Sequence, residues 1–194
     1  ARLQGKYWRI IRDGTGLFCF HEKHCDNCLC STKKTEDGKK VKLYYHKVLE
    51  AKIVFSDNVV ISLGTEFIEN ENEDVSKQDC EINAAKRLLA RIKKEYPRLP
   101  ICIQGDALYA AEPFMRQCRE YNWKYLLTQK EKRQKNLSEG FEWIRSGGEV
   151  ERYTGLCREK GSGCYVNHVE VVAGKQEIMN MLEYEYESQK EKGK

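Results

Sequence analysis

Proline is scarce, 3 in 194 residues, and no apolar run reaches the length of about 18 residues that a membrane span needs. No basic stretch followed by an apolar one near the N-terminus reads as a secretion signal. Internal repeats are lacking, which excludes a solenoid. Charge of one sign is lacking too: 34 Lys and Arg against 30 Asp and Glu leave +4. That balance permits a nucleic-acid partner without demanding one, because only clustered charge is informative. The 9 cysteines are an odd number with no secretion signal, so they read as reduced thiols or metal ligands rather than a disulfide framework. These absences predict a soluble, cytoplasmic chain. Because it opens on Ala1 and is in strand pattern by Lys6, it is expected to be a piece of a longer protein.

What is present is enough for a core: 40% of residues are hydrophobic. Residues 6–20 carry strand chemistry around Asp13-Gly-Thr-Gly, and 43–55 and 59–68 read as two strands joined through Ser-Asp-Asn as a hairpin. Asp37-Gly38 marks a turn in a polar stretch from Ser31 to Lys42, and 69–79 is an acidic connector. Ile82, Ala85, Leu88, Leu89 and Ile92 then recur at helical spacing, ending near Tyr96-Pro97. Leu99 to Ile103 is a buried strand that delivers Gly105-Asp106. Glu112-Pro113 opens a helix with Phe114, Met115 and Cys118 inward, and Trp123 to Thr128 is the next strand. Strand-like pieces follow at 150–157 and 164–173, and the last residues read as helical or frayed. Hairpin strands followed by an α–β–α–β run predict an α/β fold, a mixed sheet with helices packed on it.

Three constellations could carry chemistry. Asp13 sits inside an apolar strand and Asp106 caps a buried one. If those strands are neighbours, both carboxylates face one crevice, a setting that attracts hard divalent cations. The bland alternative is that each aspartate caps a turn beside glycine. His21, His24, Cys25, Cys28 and Cys30 fall within ten residues, followed by His46. His24, Cys25, Cys28 and His46 are one candidate Zn²⁺ set, in which His21 or Cys30 could replace a member, with Cys157 and Cys164 more loosely spaced. Reduced thiols beside solvated histidines are the competing reading. Lys124, Lys130, Lys132, Arg133 and Lys135 put five positive charges in twelve residues, a run able to track a DNA backbone or to form a solvated loop. Lys86, Arg87, Arg91, Lys93 and Lys94 read as a helix's solvated face, Tyr109 as packing or a DNA contact, and Asp79 and Glu81 as N-terminal caps.

Asp13-Gly-Thr-Gly, His24-Cys25-x-x-Cys28-Leu29, Tyr44-Tyr45-His46, Lys77-Gln78-Asp79-Cys80-Glu81 and Gly105-Asp106-Ala107-Leu108-Tyr109 together resemble the DDE transposases of bacterial insertion sequences. The branch is the one whose ribonuclease-H-like (retroviral-integrase-like) core is interrupted by a β-strand insertion. The resemblance covers roughly residues 6–145. It implies an incomplete catalytic core over 1–145 and the start of the β-rich insertion, with a frayed tail, over 146–194. It also implies Asp13 and Asp106 as catalytic ligands of Mg²⁺ or Mn²⁺, transposon-end and target DNA as partners, Lys130, Lys132, Arg133 and Lys135 on a DNA-facing edge, a homodimer on DNA, and a nucleoid-associated location. The third acid of such enzymes lies in a Tyr-x2-Arg-x3-Glu-x6-Lys pattern. That pattern is lacking: Tyr184 and Tyr186 have no Arg and Glu at the right spacing, and Glu159 follows Arg158 directly. The expected function is therefore a fragment of an enzyme of DNA cleavage and strand transfer, inactive by itself. The alternative is a non-catalytic remnant acting as a DNA- or zinc-binding module.

Overall fold

A computed structural model describes residues 2–56, 59–72, 76–130, 135–154, 161–172 and 176–186. Contacts divide the chain into two compact units, Ala1–Gln129 and Lys130–Lys194.

The first unit is a mixed sheet flanked by helices. Its strands are β1 (Arg2–Leu3), β2 (Tyr7–Phe20), β3 (Leu29–Lys34), β4 (Lys40–Ser56), β5 (Val59–Ile68), β6 (Ile101–Gly105) and β7 (Lys124–Leu127). Helix α1 (Glu81–Glu95) connects β5 to β6, and α2 (Glu112–Glu120) connects β6 to β7. The sheet runs β3-β4-β2-β6-β7, with β5 also on β4 and the short β1 on β2. Strand β4 pairs antiparallel with β2, β3 and β5, whereas β2, β6 and β7 run parallel. Because β3 pairs with residues 40–45 of β4 and β5 with 47–56, the two lie end to end along the edge of β4 away from β2. The first long strand is a neighbour of the strand that precedes Asp106, the condition set for the two acids, and the helix–strand order expected after the hairpin is found. The middle of that hairpin turn, residues 57–58, lies outside the described residues.

Burial follows from the sequence pattern. Ile101, Cys102 and Ile103 are all buried, as a continuous apolar run in a central parallel strand requires. In β2 the alternation turns Ile10 and Arg12 toward the core and leaves Ile11 and Asp13 exposed. Helix α1 presents Ala84, Ala85, Leu88, Leu89 and Ile92 to the core, and α2 presents Phe114, Met115 and Cys118. Pro113 in the first turn of α2 needs no amide partner there. The helix residues other than Met115 close one cluster with Ile10, Leu49, Ala51, Ile68, Ile101, Ile103, Tyr109 and Trp123.

One strand of this unit departs from expectation. Ser31 to Lys34, read only as polar chain, extends β3, an edge strand whose partner is β4. Its backbone is braced at Cys30: the amide donates to Gln78 Oε1, and Gln78 Nε2 donates to the Cys30 carbonyl at 2.7 Å. Gly38 takes φ +76° in the expected turn before β4.

The second unit contains α3 (Lys135–Ser146), β8 (Glu151–Thr154), β9 (Gly161–Val172) and β10 (Gln176–Tyr186), the strands forming an antiparallel sheet in the order β10-β9-β8. Residues 176–186 are a strand, not the expected helical or frayed tail. Their Glu residues, and the Glu and Lys that follow in the sequence, masked the Ile178, Leu182, Tyr184 and Tyr186 that pair along β9. Among the described residues no helix is long and apolar enough to cross a membrane.

Candidate functional site

Asp13 lies mid-strand on the face of β2 opposite α1. Across β4 it pairs with Glu50, whose carboxylate is salt-bridged to Lys52 at 2.8 Å. Hydrogen bonds from Lys52 and Ser62 hold the Glu50 carboxyl below its ordinary range. On the other side, β2 and β6 pair in parallel register at Ile10↔Ile103 and Ile11↔Gln104. Counting on two residues along each strand brings Asp13 level with Asp106. Asp106 stands just past the end of β6, exposed, with one carboxylate oxygen accepting the Leu108 amide at 2.9 Å. That bond is the turn-capping contact weighed for it from the sequence, and it leaves the second oxygen available.

On the opposite, buried face of β2 lies a group that sequence reasoning underrated. Arg12 is only 5% exposed, and its guanidinium lies 3.8 Å from the Tyr109 ring and 4.3 Å from the Phe114 ring. Among the described residues none of its side-chain nitrogens has a hydrogen-bond partner. Burial brings its pKa down to about 10, against the raising influence of Tyr109, Cys118, Glu81 and Asp106. The Tyr109 hydroxyl donates to Glu81, and burial with this bond pushes the phenol far above its ordinary value. Glu81 is thus a cross-link between the start of α1 and the loop after β6 rather than a cap. Asp79 does not cap the helix either: it accepts the Cys80 amide at 2.8 Å one residue ahead of α1, and the N-cap residue, Cys80, makes no side-chain capping bond. The signal for Arg12 was present in the alternation that sets it on the same face as Ile10.

The cysteines separate into two chemical classes. Burial pushes the Cys118 thiol up to about 12 and raises that of Cys102, so both behave as core side chains. Cys25 and Cys28, by contrast, stand at a turn between β2 and β3, where the Cys28 amide donates to the Cys25 carbonyl at 3.1 Å. The two sulfurs are 3.6 Å apart, and each lies 3.2 Å from His46 Nε2 on β4. These three donors form a group that could hold a metal ion such as zinc. His24, expected as a fourth member, is not in it. Its Nδ1 meets the Glu22 carbonyl at 3.1 Å, and its ring stacks on Tyr44 at 4.1 Å. Neither His21 nor Cys30 joins the group, and Cys157 lies outside the described residues.

Of the basic run, Lys124 and Lys130 are exposed, and Lys135 pairs with Glu139 at 3.5 Å in α3. Lys132 and Arg133 lie outside the described residues, as do Arg158 and Glu159. Arg145 is taken by Glu183 at 2.7 Å and Glu142 at 2.8 Å, which removes it from the free positive charge. No known family, curated protein or solved structure matches the chain.

Proposed function

We propose that this chain is the catalytic-core segment of a DNA transposase, a ribonuclease-H-like fold in which Asp13 and Asp106 bind divalent metal for phosphoryl transfer. The observation that carries the reading is the register of the two central parallel strands up to Ile11↔Gln104, which, carried two residues further, runs the exposed Asp13 of β2 toward the level of the exposed Asp106 just past β6. The order β5-β4-β2-β6-β7, three antiparallel strands followed by two parallel ones with helices at the crossovers, supports the same reading. Oxygen-only donors suit Mg²⁺ or Mn²⁺, which would stabilise charge on a scissile phosphate. Asp13 and Asp106 supply the anionic seat. The exposed Lys124 and Lys130 offer counter-charge to a DNA backbone, and paired transposon ends would bring two copies of the full protein together. With two carboxylates the seat is incomplete, so the segment binds metal without turning over DNA.

Mn²⁺ binding to the full chain, followed by electron paramagnetic resonance, tests this reading. Asp13→Asn and Asp106→Asn are each expected to abolish the bound signal, with far-ultraviolet circular dichroism unchanged. If both variants bind Mn²⁺ as the parent does, the two acids are turn residues and the chain is a non-catalytic module.

A further inference from the structure

The Cys25, Cys28 and His46 group stands apart from the two acids in chemistry and owes nothing to the transposase reading. Tetrahedral zinc with bonds of about 2.3 Å to sulfur and about 2.05 Å to nitrogen requires sulfur–sulfur edges of roughly 3.8 Å and sulfur–nitrogen edges of roughly 3.6 Å. The observed edges are 3.6 Å between the sulfurs and 3.2 Å from each sulfur to His46 Nε2. A disulfide is a different geometry, since its sulfurs sit about 2.05 Å apart. Thiolates and imidazole select a borderline-soft ion over Mg²⁺ or Ca²⁺.

The donors are also held from outside the triangle. The Cys25 amide points at the Cys28 sulfur at 3.4 Å. Antiparallel pairing of Leu29 with Tyr45 sets Cys28 abreast of His46. Asn70, almost fully buried, donates to the Cys28 carbonyl at 2.9 Å and accepts the Asp79 amide at 3.1 Å. Asn27, inside the turn, donates to the Asn70 carbonyl at 2.8 Å. The Phe18 ring lies 5.2 Å from the His46 ring. A turn fixed in this way presents its donors without paying for their ordering when an ion arrives.

We infer that Cys25, Cys28 and His46 form a zinc site with three protein ligands and a fourth, solvent-supplied position. Cys25 is exposed, so the fourth corner of the tetrahedron opens to water. The ion ties the turn between β2 and β3 to the centre of β4 and locks the start of the edge strand in register.

Zinc content and Co²⁺ substitution of the full chain under reducing conditions test the inference. The expected result is one zinc per chain and a thiolate-to-cobalt charge-transfer band of two-thiolate intensity. Cys28→Ser and His46→Asn should each lower the zinc stoichiometry to near none, while Cys30→Ser and His24→Ala leave stoichiometry and band intensity unchanged. The wild-type band intensity counts thiolates whether or not a ligand variant folds. Absence of stoichiometric metal, retention of zinc by Cys28→Ser, a three-thiolate band, or loss of zinc in Cys30→Ser or His24→Ala would each overturn the assignment.

Discussion

Glu81 begins α1, yet its carboxylate serves β2 and the loop after β6 more than its own helix. It accepts the Tyr109 hydroxyl, and a Cβ added at Gly14 would come within 2.6 Å of its Oε2. Beside it lies the buried Arg12 guanidinium, stacked on the same tyrosine. Removing the hydroxyl in Tyr109→Phe leaves a part-buried carboxylate without this partner, so it should cost about 1 kcal/mol of stability. Gly14→Ala reaches the same end by another route, displacing Glu81 from the tyrosine, and the double variant should cost little more than the larger single change. Urea titrations of the three variants check this, and additive losses would show that the two residues act separately. The sequence revealed Glu81 only as an acid in the first turn of a helix, the setting of a cap. Its actual partner lies 28 residues on, and nothing in local spacing announces such a contact. Asp13 and Asp106 stood out in the sequence because one lies in an apolar strand and the other just after one, although both carboxylates are exposed. The Cys25–Cys28 pair was legible from spacing, whereas choosing between His24 and His46 required the pairing of β3 with β4.

At the scale of elements, the period of α1 was plain in the sequence, and its five buried positions include Ala84 alongside the expected Ala85, Leu88, Leu89 and Ile92. The basic row on its flank was not legible in the same way, since a row of arginines reads as solvated. In the structure Arg87 bonds Glu66 at 2.7 Å, Asp79 at 2.8 Å and the Phe67 carbonyl at 2.9 Å, and Arg91 bonds Glu66 and the Thr65 carbonyl. These contacts pin α1 to β5 and to the connector before it. Partial burial would raise the Asp79 pKa, but the Arg87 bond and the Cys80 amide outweigh it and hold the carboxyl below its ordinary value. A depressed folded-state pKa contributes stability that is full above the unfolded value of about 3.9 and is lost as pH falls through the folded one. The stability gap between the parent and Asp79→Asn should therefore be constant from pH 7 to about 5 and close progressively below about pH 4. Urea midpoints at a series of pH values measure it, and a gap that persists unchanged into acid would assign the effect to packing rather than to charge. Strand β10 was illegible for a related reason. Alternating Glu and Tyr suits either a frayed helix or a strand, and only the facing residues of β9 decide between them.

For the molecule as a whole, the strand and helix order over 7–127 was readable apart from β3, because the other elements there carry their own periodicity and the crossovers are marked by Pro97, Pro100 and Pro113. The pairing of β3 and β5 along one edge of β4 was not, because it depends on the length of β4 rather than on any motif. The same pairing makes the first unit self-contained. All the residues of its buried cluster fall between Ile10 and Trp123, and the hydrogen bonds bracing the Cys25–Cys28 turn come from His46, Asn70 and residues within that span. A shortened chain ending at Gln129 therefore keeps every residue of this cluster, as well as the two acids and the three sulfur and nitrogen donors. Residues 1–129 are expected to unfold cooperatively in urea, with a midpoint close to that of the corresponding transition in the full chain. They should also bind zinc with the same stoichiometry as the full chain. Non-cooperative melting of the shortened chain would mean that its core leans on the C-terminal residues. Cooperative melting with loss of zinc would move the fourth ligand into those residues and out of the solvent.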